Sequence, residues 1–83
     1  NLVDYFNIKG DYTVFEVKTS PDFQSVNLND LNLRDKFDAN ILLVERDSTF
    51  IMPSRDTILY ANDEIFIFSK RKDIAKISSF FTT

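Results

Sequence analysis

Hydrophobic and polar positions along the chain change period several times, and each change marks a new element. Residues 12–18 alternate and are rich in aromatic and β-branched side chains, which predicts a strand with Thr13, Phe15 and Val17 on one face. Residues 40–46 carry a four-residue apolar run, 41–44, which predicts a strand covered on both faces for part of its length. Residues 64–69 read as a further strand, and 57–60 as a short extended segment. Residues 71–81 repeat at helical spacing, with Ile74, Ile77 and Phe81 as the apolar stripe. The opening residues 1–8 place Leu2, Val3, Tyr5, Phe6 and Ile8 at a spacing that suits one or two helical turns.

Polar punctuation separates these segments. Lys9-Gly10-Asp11 holds the single Gly of the chain and predicts a turn, and Thr19-Ser20-Pro21-Asp22 ends the first alternating run. Asn27 is placed to cap a short helix over 28–31, with Asp30 completing a variant capping box. Asn32 with Asp35 repeats the arrangement for residues 33–37, and Asp38-Ala39-Asn40 stops that helix. Asp47-Ser48 predicts a tight hairpin turn into residues 49–52, Pro53-Ser54-Arg55-Asp56 an irregular loop, and Ala61-Asn62-Asp63 another turn. The expected fold class is α+β: a small mixed, mostly antiparallel sheet covered by helices. Residues 1–10 are expected to be the tail of a connecting helix and a turn, and residues 11–83 one lobe.

Composition narrows the chemistry. With 83 residues the chain supports one modest core, and nine Phe and three Tyr supply its bulk. It has no Cys and no His, which removes disulfides, thiolate metal sites and the commonest general base. A net charge of −3 argues against a nucleic-acid polymer as partner. The longest apolar runs fall far short of the ~20 residues that span a membrane, and no secretory pattern opens the chain. The expected location is therefore cytoplasmic. No nucleophile–base pair, Gly-rich phosphate loop or metal cluster is present, so no enzymatic activity is expected. Glu16 and Glu45 are able to meet across strands, but paired acids alone make no site. Asp35, Asp38 and Asp47 lack the spacing and the Gly of a calcium loop.

Four strings in order, Leu28-x-x-Leu31-Asn32-Leu33-Arg34, Asn40-Ile41-Leu42-Leu43-Val44-x-Arg46, Ile51-Met52-Pro53-x-x-Asp56-Thr57-x-Leu59 and Asn62-Asp63-x-Ile65-x-Ile67, resemble the TrkA C-terminal domain, the C-terminal lobe of the regulator-of-potassium-conductance (RCK) module. The resemblance covers about residues 12–81. The opening Leu2-Val3-Asp4-Tyr5-Phe6 looks like the end of the helical connection after the nucleotide-binding lobe of Ktr-type gating subunits. Family members usually carry Gly near Ser25, at Asp38 and at Asn62. Asp and Asn are the residues best able to replace Gly in a left-handed backbone, and Ser25 is the least secure of the three.

The resemblance implies a non-enzymatic regulatory lobe with no resident cofactor. It implies a homodimer that meets a membrane potassium channel or transporter through a missing N-terminal nucleotide-binding lobe. That places it in the cytoplasm, peripheral to the plasma membrane and not inserted in it. The implied ligand is cyclic di-AMP, held between two protomers so that each residue acts twice. Carried over by motif, Arg34 and Asn40 meet the phosphates and backbone, Leu28 and Ile41 pack the adenine, Pro53 closes the cleft and Asn32 lies at its edge. Arg suits an anion because its donor fork stays charged.

Each residue also has a plainer reading. Arg34 is equally a solvated charge or a partner of Asp38 one turn on. Asn40 equally turns the chain into its strand, Leu28 and Ile41 are more often core, and Pro53 is first a loop former. Lys70-Arg71-Lys72 opens the last helix against its dipole, which suits an anion, although a solvated basic turn accounts for it as well. Surplus apolar side chains, Phe23, Phe50, Phe80 and Phe81, argue independently for a dimer. Two alternatives to cyclic di-AMP sensing stay open: a purely structural dimerisation lobe, and a sensor of another ligand in an antiporter or amino-acid transporter.

Overall fold

A computed structural model describes residues 2–82, with side chains described from residue 6 onward. Seven strands and three helices follow in the order β1 (Leu2–Asn7), β2 (Tyr12–Lys18), β3 (Val26–Asn27), α1 (Leu28–Leu31), α2 (Leu33–Phe37), β4 (Asn40–Arg46), β5 (Thr49–Ile51), β6 (Ile58–Leu59), β7 (Glu64–Lys70) and α3 (Ile74–Thr82), the last preceded by a 3-10 turn at Arg71–Asp73. Five strands form one sheet in the order β1-β2-β7-β4-β5, and β3 pairs with β6 in a small second sheet. Every strand pair among the described residues is antiparallel.

Strand alternation builds the core as the pattern requires. Thr13, Phe15 and Val17 of β2 and Ile65, Ile67 and Ser69 of β7 are all fully buried on one face. Helix α3 covers that face with Ile77 and Phe81, both at 0% exposure, and with Ile74 packed at the margin. Leu31 and Leu33 bring the two short helices onto the same core.

Strand β4 departs from simple alternation. Its register against β7 shifts between Ile41 and Leu43, a bulge that inserts Leu42 as an extra residue. Ile41 and Val44 therefore both face the core although they lie three residues apart. The apolar run is not covered on both faces, as the sequence suggests, because the bulge leaves Leu42 41% exposed.

The chain opens as a strand, not as the end of a helix. Residues 4–7 pair one-to-one with 16–13 of β2, and the register is irregular between Leu2 and Asp4. That irregularity breaks period-two spacing and leaves an apolar pattern that mimics a helical turn. The outer edge of β2 offers unpaired backbone groups, and pairing with them outweighs local helical preference.

Turn chemistry explains the remaining breaks. Asp47 and Ser48 both take positive φ, 50° and 63°, which matches a two-residue hairpin turn. Asp38 (φ 54°) and Asn62 (φ 67°) sit in the left-handed region that Gly adopts most readily, whereas Ser25 does not. Asn32 also takes a left-handed conformation, φ 52°, ending α1 and opening α2 at one residue. Its side chain makes no cap hydrogen bond, so the expected capping role fails: a cap needs extended backbone, which Asn27 has and Asn32 lacks.

Candidate functional site

A cleft of about 380 Å³ opens between the two short helices, the start of β4 and the loop after β5. Leu28, Asn32, Arg34, Asn40, Ile41 and Pro53, the six residues singled out in the sequence, all line it. They come from positions up to 25 residues apart, 53 − 28, so the fold and not local sequence assembles them.

One lip is built by α1 and the loop that follows β5. Asn27 caps α1, its Oδ1 accepting the Asn29 N–H at 2.9 Å. The same N–H reaches the Arg55 carbonyl (3.2 Å), and the Leu28 N–H donates to the Thr57 carbonyl (2.8 Å). These bonds tie the helix start to the loop, and the β3–β6 pairing of Val26 with Leu59 and Asn27 with Ile58 extends the tie. The loop is itself folded: the Ser54 N–H donates to Thr57 Oγ1 (2.8 Å), and the Thr57 N–H to the Ser54 carbonyl (3.1 Å). Pro53 is half-buried between the sheet and this turn.

The other lip is α2 and its exit. The Asp38 N–H returns to the Arg34 carbonyl (2.9 Å) and the Ala39 N–H to the Leu33 carbonyl (3.3 Å), which turns the chain sharply into β4. Arg34 and Asn40 are exposed beside the opening, and Ile41, 7% exposed, forms part of the floor. Leu28 and Ile41 serve the core and the cleft at once, since both pack in the main hydrophobic cluster. Arg34 does not pair with Asp38. Among the described residues it forms no ion pair, while an Asp38 oxygen accepts the Tyr12 hydroxyl (3.3 Å).

Two polar features escaped the sequence reading. Arg55 lines the same cleft from the loop lip, and Asp35 from α2. Arg55 lies two residues after Pro53, at an unspecified position of a motif string, so no local signal marks it. The second feature lies away from the cleft. Arg46 and Asp63 form a forked ion pair, with Asp63 only 1% exposed. The hydrogen bond that Arg46 donates to Asp63 is the main cause that holds the guanidinium pKa above its ordinary value, against the opposing effect of burial.

The other charged groups divide differently. Lys70, Arg71 and Lys72 line a second hollow with Asp11. Arg71 is already engaged there: its backbone N–H donates to the Asp11 carbonyl (2.8 Å) and its guanidinium to the Gly10 carbonyl. Glu16 and Glu45 do meet on the sheet, joined by Glu64, with carboxylate oxygens within 4.8 Å of one another. Asp35, Asp38 and Asp47 form no metal-ligating group among the described residues. Among those residues no helix is long and apolar enough to cross a membrane.

The molecule is thus an antiparallel sheet backed by α3, with a cleft beside the left-handed breaks at Asn32 and Asp38. Residues 12–82 match the TrkA-C domain, and the chain belongs to that family. Over 80 residues it is also 24% identical to the Ktr system potassium uptake protein A of Bacillus subtilis (strain 168). That alignment covers 95% of this chain and 36% of the relative, so the chain spans about a third of that protein's length.

Proposed function

We propose that this chain is a non-enzymatic regulatory lobe of a potassium-transport gating subunit, and that two copies share one molecule of cyclic di-AMP. The observation that supports this most is the convergence of Leu28, Ile41 and Pro53 with Arg34 and Asn40 on one cleft. Apolar walls suit a purine face, and a guanidinium with an adjacent amide suits a phosphodiester. At about 380 Å³ the cleft lies near the lower end of the roughly 300–1,000 Å³ range of small-molecule sites. It suits half of a dinucleotide, and a two-fold pair of clefts offers both halves the same groups.

Exposed apolar residues support the pairing of copies. Leu42 is 41%, Met52 79% and Phe50 61% exposed, and the first two adjoin the cleft residues Ile41 and Pro53 in sequence. Burying such a patch is favourable by roughly 25 cal/mol per Å² of apolar area. In this reading ligand binding favours one arrangement of the two lobes, and the change passes to a membrane potassium transporter through the rest of the protein. The lobe acts at the cytoplasmic surface of the membrane through that partner, without inserting.

The test is isothermal titration of the chain with cyclic di-AMP, alongside sedimentation. Heat release at one ligand per two chains, a dimer mass at micromolar concentration, and loss of binding in Arg34→Ala with the dimer intact are the expected results. A dimer that releases no heat leaves a structural dimerisation lobe. A monomer mass removes the shared-ligand account altogether.

A further inference from the structure

We infer that Arg55 gives the cleft its net positive charge and supplies a second guanidinium to the phosphate of a bound nucleotide; the inference rests on reading the cleft as a nucleotide site. Three charged side chains line the cleft: Arg34 and Asp35 on α2, and Arg55 on the opposite lip. Arg34 and Asp35 are adjacent in sequence and their formal charges cancel, +1 − 1 = 0. Arg55 brings the sum to +1, the charge that opposes one phosphodiester. Without it the walls would offer an anion a local dipole and no net attraction.

Arg55 is held for such a role and not otherwise occupied. Its carbonyl accepts the Asn29 N–H at 3.2 Å, which registers the loop against α1 and fixes where the side chain starts. Its guanidinium forms no hydrogen bond, ion pair or ring contact with the described residues, and the residue is exposed. Arg46, by contrast, is bound to Asp63 and to the Ile58 carbonyl and lies over Tyr60. The neighbouring Asp56 is exposed and does not line the cleft. An unoccupied guanidinium that lines the same cleft as Arg34 raises the local concentration of anions and strengthens a charged ligand more than a neutral one.

The test compares wild type, Arg55→Ala, Arg55→Lys and Arg34→Ala by titration with cyclic di-AMP, AMP and uncharged adenosine at several salt concentrations. Arg55→Ala is expected to weaken whichever nucleotide binds by about tenfold or more, as loss of a charge-assisted hydrogen bond does. It should flatten the salt dependence while leaving adenosine affinity and the melting temperature unchanged. Arg55→Lys should keep the salt dependence and recover part of the affinity, which a purely structural role for the loop would not produce. Unchanged nucleotide affinity and salt dependence in Arg55→Ala overturn the inference and leave the cyclic di-AMP reading standing. If wild type takes AMP but not cyclic di-AMP, and Arg55→Ala loses AMP, the inference stands and that reading falls. Binding of none of the three ligands overturns both.

Discussion

The Arg46 guanidinium forks onto the Asp63 carboxylate, Nε to Oδ1 and Nη2 to Oδ2, each at 2.8 Å. The same carboxylate accepts the Tyr60 N–H (2.8 Å), and Arg46 Nη2 also donates to the Ile58 carbonyl (2.9 Å). The Arg46 carbon at the centre of the fork lies 4.7 Å from the centre of the Tyr60 ring. Thr19 joins the arrangement from the end of β2, its hydroxyl donating to the Tyr60 carbonyl (2.8 Å) and accepting the Asp63 N–H (2.9 Å). The pair thus fastens β4, β6 and the turn into β7 at one point.

Because Asp63 is buried and its carboxylate accepts three hydrogen bonds, two from Arg46 and one from the Tyr60 N–H, its removal strands all three. Asp63→Ala is expected to destabilise the fold by about 3 kcal/mol, and Arg46→Ala, whose side chain is 30% exposed, by roughly 1–2 kcal/mol. Urea unfolding of each variant and of the double variant measures both losses and their coupling. The raised Arg46 pKa fixes the sign of any pH effect. Its contribution is complete below the ordinary guanidinium range and fades only as pH rises through the still higher folded value. The Arg46→Ala penalty should therefore be constant from about pH 6 to about pH 10.

Neighbouring phenylalanines at the end of α3 should behave oppositely. Phe81 is no surplus residue: it is fully buried on the α3 stripe and packs against Phe23 with ring centres 5.9 Å apart. Phe80 is 42% exposed, meeting Phe37 edge-on at 6.3 Å and Lys36 at 5.4 Å. Phe81→Ala is expected to cost about 3–5 kcal/mol, and Phe80→Ala no more than about 1.5 kcal/mol. Thermal unfolding distinguishes them directly.

Left-handed backbone at Asp38 and Asn62 predicts that Gly is the better residue for stability. Asp38→Gly and Asn62→Gly should each raise stability by up to about 1 kcal/mol, less the exposed Tyr12–Asp38 hydrogen bond in the first case. Ser25→Gly should bring no gain, since Ser25 does not take positive φ. Calorimetric melting of the three single variants checks the ordering.

Asn27 and Asn32 look alike in sequence and differ in structure. Asn27→Ala removes the cap on α1 and should cost about 1 kcal/mol. Asn32→Gly keeps the left-handed break and should cost nothing, since no cap hydrogen bond is lost. Denaturant midpoints of the two variants test the contrast.

Much of the fold was legible because its determinants are local. Alternation placed β2 and β7, helical spacing placed α3, and Asn and Asp marked the turns, several of them in left-handed backbone. The helical reading of residues 1–8 failed because the apolar spacing there carries a strand irregularity. That strand is decided by β2, its partner across the Gly10 turn. Helical spacing correctly puts Phe81 on the buried stripe, and only its place among the surplus residues fails, because Phe23 from a distant segment packs there. Arg55 went unnoticed because nothing beside it in sequence marks its role.

Residue order alone therefore determined the turns, the strand faces, the absence of His and Cys chemistry, and the string of motifs that placed the chain in its family. These follow from backbone sterics and side-chain type, which act over a few residues. Only the tertiary structure decided that β1 is a strand, that a bulge turns Leu42 outward, that Arg46 closes on Asp63, and that Arg55 shares a cleft with Arg34. Each of those depends on which distant segments meet and in what register, a choice made by burial and hydrogen-bond satisfaction across the whole domain.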